Sequence, residues 1–122
     1  MTCRDQMVTR FRRCVPHQRL LDALEILGED GADWVAVVAG HDDPSFVGWI
    51  TAQAAAVFLA AFDKRPSEVM CRELVSAPPE VLAPEQDLER ALAAITASGY
   101  RRLPVVEGGR LIGILGAGSR PG

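Results

Sequence analysis

From Pro84 onward the apolar residues Leu88, Ala91, Leu92 and Ile95 recur at three- and four-residue spacing, the stripe of one helix face, and Gly99 stands where a left-handed C-cap belongs. Leu103 to Val106 follows as a short apolar run, Gly108-Gly109 supplies turn residues, and Leu111 to Leu115 is a second run, so a β-hairpin is expected after the helix. The same order occurs earlier in the chain. The pattern predicts a helix over roughly His17 to Glu29, a strand from Trp34 to Val38, a polar loop over Gly40 to Ser45 and a strand from Phe46 to Ile50. Short strands are expected before each proline, over Phe11 to Val15 and Glu80 to Leu82.

The two passages are copies. Residues 16–38 laid over 84–106 without a gap pair Pro16 with Pro84, Leu20 with Leu88, Ala23 with Ala91, Gly31 with Gly99 and Val37-Val38 with Val105-Val106. Matches confined to apolar and turn positions mark a duplicated structural unit. After the first hairpin comes Ala52 to Phe62, alanine-rich and free of Gly and Pro, hence a helix. Being apolar on most sides, it has to be covered by its own sheet and by a second element or subunit. After Leu115 the second copy runs Gly116-Ala117-Gly118-Ser119-Arg120-Pro121-Gly122, so its closing helix is expected to be missing or truncated. The reading is an α+β protein of two tandem β-α-β-β-α repeats over 1–62 and 80–122, joined by a linker over 63–79 whose prolines Pro66, Pro78 and Pro79 break the flanking elements.

Composition narrows the function. A 122-residue chain with 48% hydrophobic and 24% charged residues can bury a core. Its net charge of −3 supplies no general attraction to nucleic acid or anionic lipid, and neither partner is expected. Cys3, Cys14 and Cys71 are odd in number and widely spaced, without a zinc-type motif, which suits reduced thiols in the cytoplasm. The longest apolar stretch, near Ala52 to Phe62, is too short to cross a bilayer.

The second copy also carries recognisable wording. Gly99-Tyr100-Arg101-Arg102-Leu103-Pro104-Val105-Val106 followed by Gly109-Arg110-Leu111-Ile112-Gly113-Ile114 resembles the signature of the CBS domain, and Pro66-Ser67-Glu68-Val69-Met70-Cys71 resembles the lead-in that precedes many CBS domains. With the duplication, the chain resembles a CBS domain pair, or Bateman module. The resemblance implies a pseudo-two-fold pair with clefts between repeats that hold AMP, ADP, ATP or S-adenosylmethionine as effectors rather than required cofactors. It implies a regulatory role, dimerisation through helices and a fused or partner protein that receives the signal.

Residue by residue, the resemblance places an adenine against Val15 and Val81 near the first strands and against Pro104, and phosphate at Arg101, whose counterpart in the first copy is Asp33. A guanidinium suits phosphate because it donates in a fork. The family's Gly-x-x-Thr-x-x-Asp motif falls on Gly48 to Ala54: Thr51 is kept, and Ala54 replaces the ribose carboxylate. In the second copy Gly116 and Ser119 replace the pair. Two clefts of unequal charge follow, one of which should dominate.

Each candidate also has a plain structural role. Thr51 suits an N-cap, Arg101 a solvated rim, and Trp34 and Trp49 core packing. His17 and His41 are isolated in sequence and read as surface residues, and Glu29-Asp30 and Asp42-Asp43 as solvated acids. No nucleophile–base pair, phosphate loop or metal motif is present, so neither a catalytic nor a metal site is expected. A structural dimerisation module whose ligand sites have decayed is the competing reading.

Overall fold

The structure is a computed structural model and describes residues 1–116. The chain forms two compact units, one of Arg12–Ala77 and one of Met1–Phe11 with the chain from Pro78 onward. The first is one continuous run that ends in a short segment after its body, whereas the second joins the N-terminal segment to a body from the other end of the chain.

In the Arg12–Ala77 unit, β1 (Arg13–Cys14) leads through a Pro16 turn into α2 (Leu20–Asp30), then β2 (Trp34–Gly40), β3 (Asp43–Thr51) and α3 (Ala52–Phe62); the four-residue α1 (Cys3–Gln6) belongs to the other unit. β1 runs parallel to β2, and β2 pairs antiparallel with β3. The helix starts three residues later than its periodicity suggests. The Gln18 side chain accepts from Val15 N–H at 2.8 Å and its N–H donates to Val15 C=O at 3.1 Å, which holds 15–18 as a turn. Gly31 ends α2 at φ 62°, and Ala32 N–H closes on Leu27 C=O.

The polar loop expected over Gly40 to Ser45 is instead a tight turn at His41-Asp42, with Gly40 opposite Asp43. Register shifts between Val37, Val38 and Gly40 absorb the inserted residues as bulges, so the hairpin grows longer. Asp43 steadies this end by accepting from the backbone N–H and hydroxyl of Ser45. One face of the sheet, with Val35, Val37 and Ile50, packs on Leu20, Ala23 and Leu27 of α2. Trp34 and Trp49 lie on the opposite face as diagonal cross-strand neighbours, ring centroids 4.9 Å apart and both buried.

The other unit repeats this plan with α4 (Leu88–Ser98), β4 (Arg102–Glu107) and β5 (Arg110–Gly116). Asp87 caps α4 by accepting from Arg90 N–H, and Gly99 ends it at φ 81°, a conformation open to glycine without strain. The strand expected over Glu80 to Leu82 shrinks to one parallel bridge between Leu82 and Val105. That expected over Phe11 to Val15 shrinks to Arg13–Cys14.

The short segments complete each body in the same way. In one unit Cys71 N–H donates to Gln18 C=O at 2.8 Å, Arg72 N–H to Pro16 C=O, and Trp49 and Ser76 exchange two bonds of 2.9 Å. In the other, Cys3 N–H donates to Gln86 C=O at 3.0 Å, Arg4 N–H to Pro84 C=O, and Val8 and Ile114 exchange bonds of 2.8 and 2.9 Å. Cys3-Arg4 and Cys71-Arg72 stand at the same separation as Pro16 and Pro84. The repeat therefore extends upstream to the first residues of the chain. Each lead-in docks on the body that its own copy does not precede.

Two glycines make this docking possible. A Cβ on Gly48 would run into the carbonyl of Ser76, and one on Gly113 would meet Met7 Sδ at 2.6 Å. They occupy the same place in β3 and β5.

Candidate functional site

In the Arg12–Ala77 unit the β2–β3 hairpin sets Asp33 and Thr51 at one end. Trp34 is opposite Thr51, and Ala52 N–H donates to Asp33 C=O at 2.9 Å. Thr51 Oγ1 accepts from Ala54 N–H at 3.1 Å, so the hydroxyl caps α3. Ala54, where the resemblance would place a carboxylate, is exposed and apolar. Val15 is buried and follows Cys14, whose partner Val37 is four residues along β2 from Asp33. Val15 is therefore not gathered with Asp33 and Thr51.

In the unit from Pro78 onward, Val81 is 43% exposed while Pro104 is buried. The two are brought close through Leu82, whose N–H donates to Pro104 C=O at 2.9 Å. Arg101 is exposed at the entry to β4, free of the buried core, whereas Arg102 leans into the sheet as a half-buried residue. Arg101 precedes the strand, which begins at Arg102. Gly116 pairs with Arg102 at the far end of the hairpin. Ser119 and the closing-helix position lie outside the described residues.

Other charged side chains are engaged structurally. Arg12, which begins its unit, bridges Glu29 at 2.7 Å and also Asp30, and its guanidinium is held above its ordinary range by those two carboxylates. Glu29 and Asp30 are thus exposed acids, as their sequence setting suggests, and both pair with Arg12 at the helix end. Arg4 likewise spans Glu85 and Glu107, each at 2.9 Å.

Three features escape a reading of sequence alone. His17 and His41, far apart in the chain, meet edge to face with ring centroids 5.9 Å apart, because the Pro16 turn lies beside the hairpin tip. Cys14 and Cys71 lie together in the core of their unit. The third is α3. Ala55 is its one buried residue, Val57 and Phe62 are 62% and 61% exposed, and Phe58 and Phe62 stack at 4.7 Å. Thr51, Ala54, Val57, Phe58 and Phe62 line an open apolar groove of about 470 Å³. Among the described residues no three His, Cys, Asp or Glu side chains gather where they could hold a metal ion, and no helix is long and apolar enough to cross a membrane.

Residues 67–118 match the family model of the CBS domain. The fold is shared along nearly the whole chain with CBSX2, a CBS-pair protein of Arabidopsis thaliana solved in complex with AMP. The TM-score is 0.78 and the identity 29%, over 96% of this chain and 90% of that one. The CBS domains of a transcriptional regulator from Streptococcus pneumoniae give a TM-score of 0.78 at 17% identity, over 96% and 93%. An uncharacterised protein of Methanopyrus kandleri, MK0525, is 32% identical over 103 residues; these are 82% of this chain and 50% of that protein, so the chain spans about half the length of this curated relative. Over nearly its whole length the chain has the α+β fold of CBS-pair structures, and its second copy matches the CBS domain.

Proposed function

We propose that this chain is a non-catalytic regulatory module that binds an adenosine-type ligand, AMP, ADP, ATP or S-adenosylmethionine, and passes the bound state to a fused or partner protein. The observation that carries this reading is the likeness to CBSX2, which was solved with AMP, at 29% identity over almost the full chain. Arg101 supports it as an exposed guanidinium at the strand entry, available for a phosphate. Val81, exposed beside the Leu82–Pro104 bridge, offers an apolar side chain of the kind an adenine packs on. No residue in this reading performs a reaction.

The loss of a carboxylate at Ala54 weakens the grip on a ribose. A charge-assisted bond of this type contributes roughly 1.5–3 kcal/mol, about ten- to a hundredfold in affinity. Affinity is lowered by that factor relative to a site that keeps the carboxylate, and one cleft is expected to dominate.

A second reading, a homodimerising structural module, is favoured by α3. An alanine-rich helix that leaves Val57 and Phe62 mostly exposed gains by covering that face with a second copy, since small side chains let two helices approach closely. The two readings are compatible: the dimer is the frame and the ligand its signal. Thermal-shift measurement with AMP, ATP and S-adenosylmethionine separates them. A ligand that binds the folded state raises the melting temperature by mass action. No shift with any of the three at millimolar concentration leaves the scaffold reading alone.

A further inference from the structure

Cys14 on β1 and Cys71 in the second lead-in are both fully buried and belong to one apolar cluster with Leu20, Val69 and Leu74. Their side chains share this one cluster, and the Cys71 thiol donates to Arg19 C=O at 3.5 Å. The backbone keeps them there: Cys71 N–H donates to Gln18 C=O and Arg72 N–H to Pro16 C=O, so the lead-in crosses the chain just after Cys14. The other unit supplies the comparison. There Cys3 occupies the seat of Cys71 on the same backbone bonds, but Leu82 stands where Cys14 would be. Two thiols meet only where the lead-in of residues 66–77 docks.

We propose that Cys14 and Cys71 form an oxidisable dithiol whose disulfide fastens this lead-in to β1, making its attachment sensitive to hydroperoxides. The hydrogen bond from Cys14 holds the Cys71 thiol below its ordinary value and pushes Cys14 up, so Cys71 is the first to react. Its thiolate attacks a peroxide oxygen; the O–O bond breaks, water or an alcohol leaves, and a sulfenic acid remains on Cys71. The Cys14 sulfur then displaces that hydroxyl, which departs as water with the Cys14 proton. Two thiols and one hydroperoxide thus yield one disulfide and two molecules of water, or water and an alcohol. Because both sulfurs are buried, peroxide gains access when the lead-in lifts, and the reaction should quicken in mild denaturant. This device is independent of nucleotide binding.

The test treats the folded protein with hydrogen peroxide, with and without mild guanidinium, then unfolds it in an alkylating reagent for mass spectrometry. The expected product carries one alkylated cysteine, Cys3, and a disulfide joining the Cys14 and Cys71 peptides; it melts several degrees higher than the reduced form. C3S should behave like the parent, while C14A and C71A should lose the link and the added thermal stability. The parent protein alone decides the matter even if a variant folds poorly. Cys3-linked covalent dimers, sulfinic acids without a Cys14–Cys71 link, or three alkylated cysteines under both conditions would overturn the proposal.

Discussion

Trp49 and Ser76 exchange a matched pair of backbone hydrogen bonds, 2.9 Å each way, across a gap that Gly48 keeps open. The pair joins the main body of one unit to a lead-in that arrives after α3, and it has a counterpart in Val8 and Ile114 beside Gly113. The two glycines differ in what a methyl group would meet: the fixed carbonyl of Ser76 at Gly48, and the flexible side chain of Met7 at Gly113.

Gly48→Ala should therefore destabilise more than Gly113→Ala. Overpacking of a rigid site costs about 1–3 kcal/mol, whereas a methionine can swing aside for less. Urea denaturation of the two variants checks the order. Equal losses would mean that the Ser76 backbone yields as readily as Met7.

Thr51→Ala removes the acceptor for Ala54 N–H and should cost about 1 kcal/mol of stability, with Thr51→Ser recovering most of it. If Thr51 serves chiefly as a cap, AMP affinity should change by less than about threefold. A tenfold loss with stability unchanged would assign the hydroxyl to the ligand instead.

Val57→Glu places a charge on the exposed apolar face of α3, which none of the described residues covers. The parent protein should sediment at twice the monomer mass and the variant as a monomer with an unchanged circular-dichroism spectrum. A monomeric parent at high micromolar concentration would remove the homodimer from the account.

Much of this architecture is visible in the sequence, for identifiable reasons. The duplication shows at Pro16/Pro84 and Gly31/Gly99 because a turn and a C-cap demand particular residue types, and α3 runs over Ala52–Phe62 as its alanine run and Thr51 cap predict. The lead-ins were harder to place. Cys3-Arg4 and Cys71-Arg72 do recur at the same separation, but their docking is made by backbone groups, which leave little trace in side-chain identity. The turn at His41-Asp42 was hidden because bulges, unlike loops, have no fixed composition. That an apolar helix needs a second cover, from another element or subunit, is legible in the sequence; which face α3 leaves open, the one with Val57 and Phe62, is seen only in the fold. Of the site, Thr51 and Asp33 converge through strand pairing, which sequence spacing cannot foretell.

Arg101→Ala should weaken AMP and ATP by about ten- to a hundredfold and leave adenosine nearly unaffected, since the guanidinium has only phosphate to meet. Competition against a fluorescent adenine nucleotide reads the difference. Equal weakening of adenosine would place Arg101 at the base or sugar, or show that its removal disturbs β4.

The most direct measurement is isothermal titration of the reduced protein with AMP. A saturable heat with one molecule bound per chain is expected, strongly diminished in Arg101→Ala. Absence of any binding heat up to millimolar AMP, repeated with ATP and S-adenosylmethionine, would contradict the regulatory reading.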